Sequence, residues 1–197
     1  KKYSEAVGDR WKMSSPIPAH IADTVITDAA DIDSMAEKCD FVFCAVNMNR
    51  EEIVALEEAY AKAELPVISN NSANRWTSDV PMVIPEINDA HLSVIEGQRR
   101  RLGTRRGFIA VKPNCSIQSY VPMLTPLLKY GIREVVATTY QAISGAGKNF
   151  AEWPEMVDNV IPFISGEEEK SEREPLRIWG KVQGGVIVPA TAPVVTT

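Results

Sequence analysis

Apolar and polar positions change period several times along the chain, and those changes predict its elements. Residues 40–47, DFVFCAVN, form a nearly continuous apolar run of strand length. Such a run suits a parallel strand covered on both faces. In residues 50–64, REEIVALEEAYAKAE, Ile53, Leu56, Tyr60 and Ala63 recur at helical spacing between Glu and Lys. That spacing predicts an amphipathic helix. LPVISN then predicts a second strand. Strand, helix and strand in about 30 residues mark a βαβ unit and an open, mostly parallel sheet. Ligands bind such sheets in the loops at the carboxyl ends of the strands. This singles out AVNMN (45–49) and SNNSANRW (69–76).

Other segments are read in the same way. Residues 1–23 are polar, carry Pro16 and Pro18, and predict loop with at most a short strand. VIT at 25–27 predicts a weak strand, and DIDSMAEKC a short helix capped by Asp31 or Asp33. GFIAV (107–111) predicts a strand. KPNCSIQSY leads into an apolar segment containing Pro122 and Pro126, so a helix there must be kinked or start late. The β-branched run IREVVATTYQAI (132–143) predicts a long strand ending in the Gly-rich turn SGAGK. GEEEKSEREPLRIWG predicts a helix and VIVPA a final strand; there is no internal repeat.

Composition narrows the class. With 21 Lys+Arg, 26 Asp+Glu and 45% hydrophobic residues, the 197-residue chain is globular and long enough for one domain or parts of two. Its net charge of −5 argues against a nucleic-acid partner. The run Arg99, Arg100, Arg101 with Arg105 and Arg106 predicts a solvated helix end or loop. No stretch approaches the roughly 20 apolar residues of a membrane span, and no signal-peptide pattern opens the chain. Cys39, Cys44 and Cys115 are odd in number and lack C-x-x-C spacing, which argues against a disulfide framework or metal site and for a cytoplasmic setting. The opening lacks Met and the closing VIVPATAPVVTT stops in a strand-like run, so both ends read as cut.

Candidate chemistry centres on Cys115. It lies in Pro113-Asn114-Cys115-Ser116, after a short strand and at the entrance of a helix. Free N–H groups and partial positive charge at a helix start favour thiolate, the nucleophilic form, and could hold an oxyanion, with the Asn114 side chain as a further donor. The plainer reading is a buried structural cysteine. That plainer reading is the better one for Cys44, inside FVFCAV. Arg75 offers a planar fork for carboxylate or phosphate, or is a surface arginine in a turn. Gln141 either orients a polar substrate group or pairs with backbone. Gly145 and Gly147 would allow close approach of a ring or phosphate. Glu167, Glu168, Glu169 and Lys170 read as a solvated helix face, or as a Glu and a Lys one turn apart that meet an ammonium and an anion. His20 and His91 both read as solvent-exposed, so no base is placed beside Cys115.

VPMVIPEIN, KPNCSIQ, TTYQAISGAG and NVIPFISGEEEK, in this order and spacing, resemble aspartate-semialdehyde dehydrogenases, most closely their archaeal and fungal-like branch. The resemblance covers essentially the whole chain. It implies an α/β protein: a partial doubly wound, Rossmann-type nucleotide-binding domain over residues 1–111, then the start of an α+β catalytic and dimerisation domain over 112–197. It implies NADP-dependent reduction of L-aspartyl 4-phosphate to aspartate 4-semialdehyde, in lysine, threonine and methionine biosynthesis, by a homodimer or homotetramer; NAD is not excluded. Carried over, Cys115 is the nucleophile that forms a thioacyl intermediate. Asn114 positions the carbonyl and Gln141 orients the intermediate. Arg75 and Lys170 meet phosphate or the substrate anion, and Glu167 the substrate amine. Ser72, Ser144 and Gly145 lie beside the nucleotide. The chain departs from the family in lacking its initial Gly-rich phosphate loop and its late Arg…His segment, which are expected before Lys1 and beyond Thr197. The competing readings are a malonyl-CoA reductase-like enzyme, a cysteine-dependent acyl hydrolase and a catalytically inert fragment.

Overall fold

The computed structural model describes residues 1–146 and 148–197. The chain divides into two compact units, Lys1–Lys38 and Cys39–Thr197.

In the first unit, helices α1 (Tyr3–Val7) and α2 (Ala19–Ala22) lie within the 1–23 segment that reads as loop, while α3 (Ile32–Lys38) is the short helix expected in DIDSMAEKC. Only one bridge, Lys2 to Val25, remains of the weak strand. The polar residues that suggested loop here act as caps and braces. The Ser4 hydroxyl donates to the Ala22 carbonyl (3.0 Å), and the Lys2 ammonium meets Asp23 at 2.7 Å. Of the two proposed caps for α3, Asp31 accepts the Ser34 N–H (3.3 Å).

The second unit is built on a parallel sheet of β1 (Val42–Cys44), β2 (Pro66–Ser69) and β3 (Phe108–Val111), in that order. Helix α4 (Arg50–Lys62) connects the first two strands. It opens with a capping box in which Asn49 and Glu52 satisfy each other's backbone N–H. Helices α5 (Pro85–Asn88) and α6 (Ile95–Leu102) precede β3. Val67, Ile109, Val80, Met82 and Val94 are fully buried around the sheet. Gln98 serves this core as a polar strut. Its amide donates to the carbonyls of Asp79 and Ile109 and accepts the Ile109 N–H (2.6 Å).

β1 departs from its sequence reading. It is an edge strand, with Phe43 76% and Phe41 53% exposed and the two rings packed edge to face. The apolar run reports a parallel strand correctly but not its coverage on both faces.

After β3 come α7 (Ile117–Leu124), β4 (Glu134–Val136), α8 (Glu167–Ile178), β5 (Lys181–Gln183), β6 (Val186–Val188) and β7 (Val194–Thr196). Pro122 lies inside α7, which tightens into a 3-10 turn from Thr125. The strand expected over 132–143 is regular only over 134–136, where β4 pairs with β7. After a last ladder bond from the Ala137 N–H to the Thr196 carbonyl, no further strand pairing is seen among the described residues, so β-branched propensity alone does not extend the ladder. β5 and β6 form a hairpin whose turn residues, Gly184 and Gly185, both have positive φ (59° and 81°). A tight turn of that hand requires glycine.

The arginine run ends α6, where positive charge suits the helix dipole. Arg101 pairs with Asp79 and Glu58, and Glu64 accepts the N–H groups of Arg105, Arg106 and Gly107. Those three donors hold the Glu64 carboxyl at about 2, well below its ordinary 4.5. A folded-state value below the unfolded one stabilises the protein above pH 4.5, and that contribution is lost as pH falls towards 2. Glu64→Gln should therefore flatten acid denaturation in this window. Parallel profiles for parent and variant, followed by circular dichroism, would refute the assignment.

Among the described residues no helix is long and apolar enough to cross a membrane.

Candidate active site

Three loops meet the carboxyl edge of the parallel sheet: 45–49 after β1, 70–77 after β2 and 112–116 after β3. The third carries Cys115. The thiol is exposed and lies in a turn immediately before α7. Its neighbours are fixed. The Asn114 side chain, 5% exposed, accepts the Ser116 N–H at 2.7 Å. The Gln118 amide donates back to the Pro113 carbonyl (3.1 Å).

Helix α8 supplies the opposite wall. The Ser116 hydroxyl donates to Glu167 Oε1 (2.5 Å) and accepts from the Gln141 amide (2.8 Å). Burial is the largest influence on the Glu167 carboxyl and pushes it up. Hydrogen bonds from Ser116, Asn114 and Gln141, with the Lys170 charge, together outweigh burial and hold it below its ordinary range. Lys170 stands one turn on, 3.9 Å from Glu167. The tertiary fold thus gathers Asn114, Cys115, Gln141, Glu167 and Lys170 from loop, coil and helix.

Arg75, read either as an anion-binding fork or as a surface arginine, is largely buried and paired. It is 6% exposed, and its guanidinium donates to the Lys112 carbonyl (3.0 Å), the Asn70 carbonyl (3.5 Å) and Glu174 (2.9 Å). The other oxygen of Glu174 accepts the Asn114 N–H at 2.6 Å. Glu174 is 1% exposed and was not singled out from sequence. Its spacing is the signal: it follows Glu167 by seven residues, two turns along one helix face. Tyr120 of α7 also reaches α8, donating to the Ser171 carbonyl. Burial first, then the Glu174 charge, push its phenol up to about 12.

Glu57 anchors the second loop. This fully buried carboxyl of α4 accepts hydrogen bonds from the hydroxyl of Ser69 and the amide of Asn74. Asn71 donates to Cys44 Sγ (3.3 Å). Burial pushes the Cys44 thiol up, aided by the Glu57 charge and opposed by the Val46 N–H, so Cys44 is a structural group. A cleft of about 430 Å³ opens beside this loop, lined by Arg50, Ser72, Trp76, Lys170 and Arg173 among others. Ser72 is exposed to it. Ser144 and Gly145 are exposed in a 3-10 turn over Ile143–Ala146, just past Gln141. Gly147 lies outside the described residues.

His91 lies apart from this site. His20 is exposed, as expected. His91, expected in solvent, is 3% exposed. Asn88 donates to its Nδ1 (3.0 Å) and its Nε2 faces the Gly180 carbonyl (3.0 Å). An amide donor on one side and a carbonyl on the other define the neutral Nε2–H tautomer. His91 reads as polar because its neighbours in sequence are; the tertiary contacts bury it. Among the described residues, no group of three or more His, Cys, Asp or Glu could hold a metal ion.

Two family models match the chain: "Semialdehyde dehydrogenase, NAD binding domain" over residues 2–95 and "Semialdehyde dehydrogenase, dimerisation domain" over residues 124–196. An aspartate-semialdehyde dehydrogenase of Archaeoglobus fulgidus is 42% identical over 188 residues, 93% of this chain and 51% of the relative. One of Aspergillus fumigatus is 37% identical, over 92% of this chain and 49% of the relative. The crystal structure of the Candida albicans enzyme with NADP superposes with a TM-score of 0.82 at 32% identity, covering 100% of this chain and 55% of that one. The chain spans about half the length of the curated relatives it matches.

Proposed function

Because the chain belongs to the semialdehyde dehydrogenase family, whose two domain models span most of its length, we propose that it carries the cysteine site of an NADP-dependent aspartate-semialdehyde dehydrogenase. The reaction is the interconversion of L-aspartyl 4-phosphate and aspartate 4-semialdehyde, in amino-acid biosynthesis. The observation that carries this reading is an exposed thiol in a turn whose two flanking residues are hydrogen-bonded to Gln141, Glu167 and Glu174. We assign residues 1–111 to nucleotide binding and 112–197 to catalysis and dimerisation.

The chemistry follows from that arrangement. The Cys115 thiolate adds to the aldehyde carbon, forming a C–S bond and an oxyanion. Loss of hydride from that carbon leaves a thioacyl group on Sγ. Phosphate oxygen then attacks the acyl carbon, and the thiolate leaves with the C–S electrons. Gln141 and Asn114 hold the reacting group in line. Glu167, kept ionised, suits a substrate ammonium, and Lys170 a phosphate or carboxylate. Arg75, bound to Glu174, contributes its charge to the same region.

NADP is the redox partner, accepting or donating the hydride. The donors available to it fit: the Ser72 hydroxyl and the cations Arg50 and Lys170 line a cleft of about 430 Å³, a volume suited to part of a dinucleotide. Ser144 and the backbone of Gly145 lie open beside Gln141. The dimerisation-domain match supports a homo-oligomer.

The whole gene product carrying this chain should reduce NADP when given aspartate semialdehyde and phosphate together. Omitting phosphate should lower turnover at least tenfold. Absence of turnover, or turnover with malonyl-CoA and NADPH in its place, would overturn the assignment.

A further inference from the structure

We propose that Glu174 is a positioning residue for the nucleophile turn, acting with Arg75 as a clamp on the backbone either side of Pro113. The inference rests on the reading of Cys115 as nucleophile. Proline has no N–H, so Pro113 cannot anchor the turn through a donor of its own. The two neighbouring peptide groups are gripped instead. Arg75 Nε donates to the Lys112 carbonyl at 3.0 Å, and Glu174 Oε2 accepts the Asn114 N–H at 2.6 Å. The clamp closes on itself, because Arg75 Nη1 donates to Glu174 Oε1 at 2.9 Å. Arg75 comes from the loop after β2 and Glu174 from α8, so the clamp ties both walls to the strand end that presents the thiol.

Arg75 and Glu174 border the cleft of about 430 Å³, but their burial and hydrogen bonds tie them to the protein. The Glu174 side chain is 1% exposed and that of Arg75 8%. Both carboxylate oxygens are spent on protein donors, so Glu174 meets the reacting atoms only through Asn114 and Cys115. Both of its partners are donors. A glutamine would therefore offer an acceptor to one and turn an N–H against the other.

The test removes the charge from both sides at once. In the whole gene product, Arg75→Met/Glu174→Gln keeps an acceptor for the Asn114 N–H, while Arg75→Met/Glu174→Leu keeps none. Replacing a buried ion pair by uncharged groups of similar volume is commonly tolerated, so both variants are expected to fold. Circular dichroism checks that they do. Cys115 is already exposed, so access does not limit its alkylation; its rate reports how the thiol is held against the start of α7.

Alkylation by iodoacetamide, located by mass on the peptide carrying Cys115, should run within about twofold of parent in the Gln variant. It should run at least fivefold slower in the Leu variant. The kcat of NADP reduction should differ at least tenfold between the two variants, with KM for the aldehyde within about threefold. Equal alkylation rates in the two folded variants would overturn the positioning role. A parent without NADP turnover would instead remove the functional reading, and the alkylation comparison would still decide the clamp.

Discussion

Replacing Cys115 by alanine in the whole gene product should lower turnover by roughly 10³-fold or more, since the step that forms the C–S bond has no other nucleophile to run through. Stability should hardly change. Cys115 is exposed and its thiol makes no hydrogen bond among the described residues, so its removal opens no buried cavity. Cys44 gives the contrast. It is buried beside Glu57, its thiol is pushed up by burial, and Cys44→Ala should act on stability and leave turnover largely intact. Steady-state rates and denaturation midpoints of both variants decide the matter. A Cys115→Ala enzyme with parental kcat would end the proposed mechanism.

The second large effect is on stability. Arg75→Ala should cost about 3–5 kcal/mol, because it strands the Glu174 carboxylate in the interior. Its remaining partner, the Asn114 N–H, does not compensate a full charge. The change also strips donors from the Lys112 and Asn70 carbonyls. A surface arginine that served only to bind an anion would cost far less, typically under about 0.5 kcal/mol. Lys170→Ala is the internal control. Its side chain is 39% exposed and its ammonium 3.9 Å from Glu167, and such a contact contributes little. Urea denaturation of the two variants beside the parent separates these cases. An Arg75→Ala protein as stable as Lys170→Ala would show that the buried pair does not hold the site together.

The two predictions treat differently the parts of the site that were legible in sequence. Cys115 was legible because its signal is local: a short apolar strand, Pro-Asn-Cys-Ser, then a helix. Glu167 and Lys170 were legible because helical periodicity puts them one turn apart. Glu174 was not singled out: its seven-residue spacing from Glu167 puts both on one helix face, but its burial is decided by the partners it meets, Arg75 and the Asn114 N–H. α4 makes the same point. Its spacing suggested that Leu56 and Ala63 face the core with Ile53 and Tyr60, but the buried positions are Ile53, Glu57, Tyr60 and Ala61. A carboxylate displaces a leucine there because Ser69 at the end of β2 and Asn74 in the loop after it present hydrogen-bond donors, which sequence spacing does not record.

By itself, the sequence determined what depends on neighbours along the chain: the βαβ alternation, the helix of 50–64, the helix from Glu167 and the cysteine at a strand-to-helix junction. The tertiary structure alone decided which polar groups are withdrawn from water. It buried His91 between Asn88 and Gly180, exposed Phe43 of β1 and the neighbouring Phe41 at a sheet edge, and limited the regular strand in 132–143 to 134–136. It also made Arg75, whose sequence reading left both an anion-binding fork and a surface arginine open, half of a buried pair. The physical reason is that periodicity fixes the direction of a side chain from its own element. Whether that direction meets solvent, a carbonyl or an opposite charge depends on residues as far as 99 positions away, as Arg75 and Glu174 are.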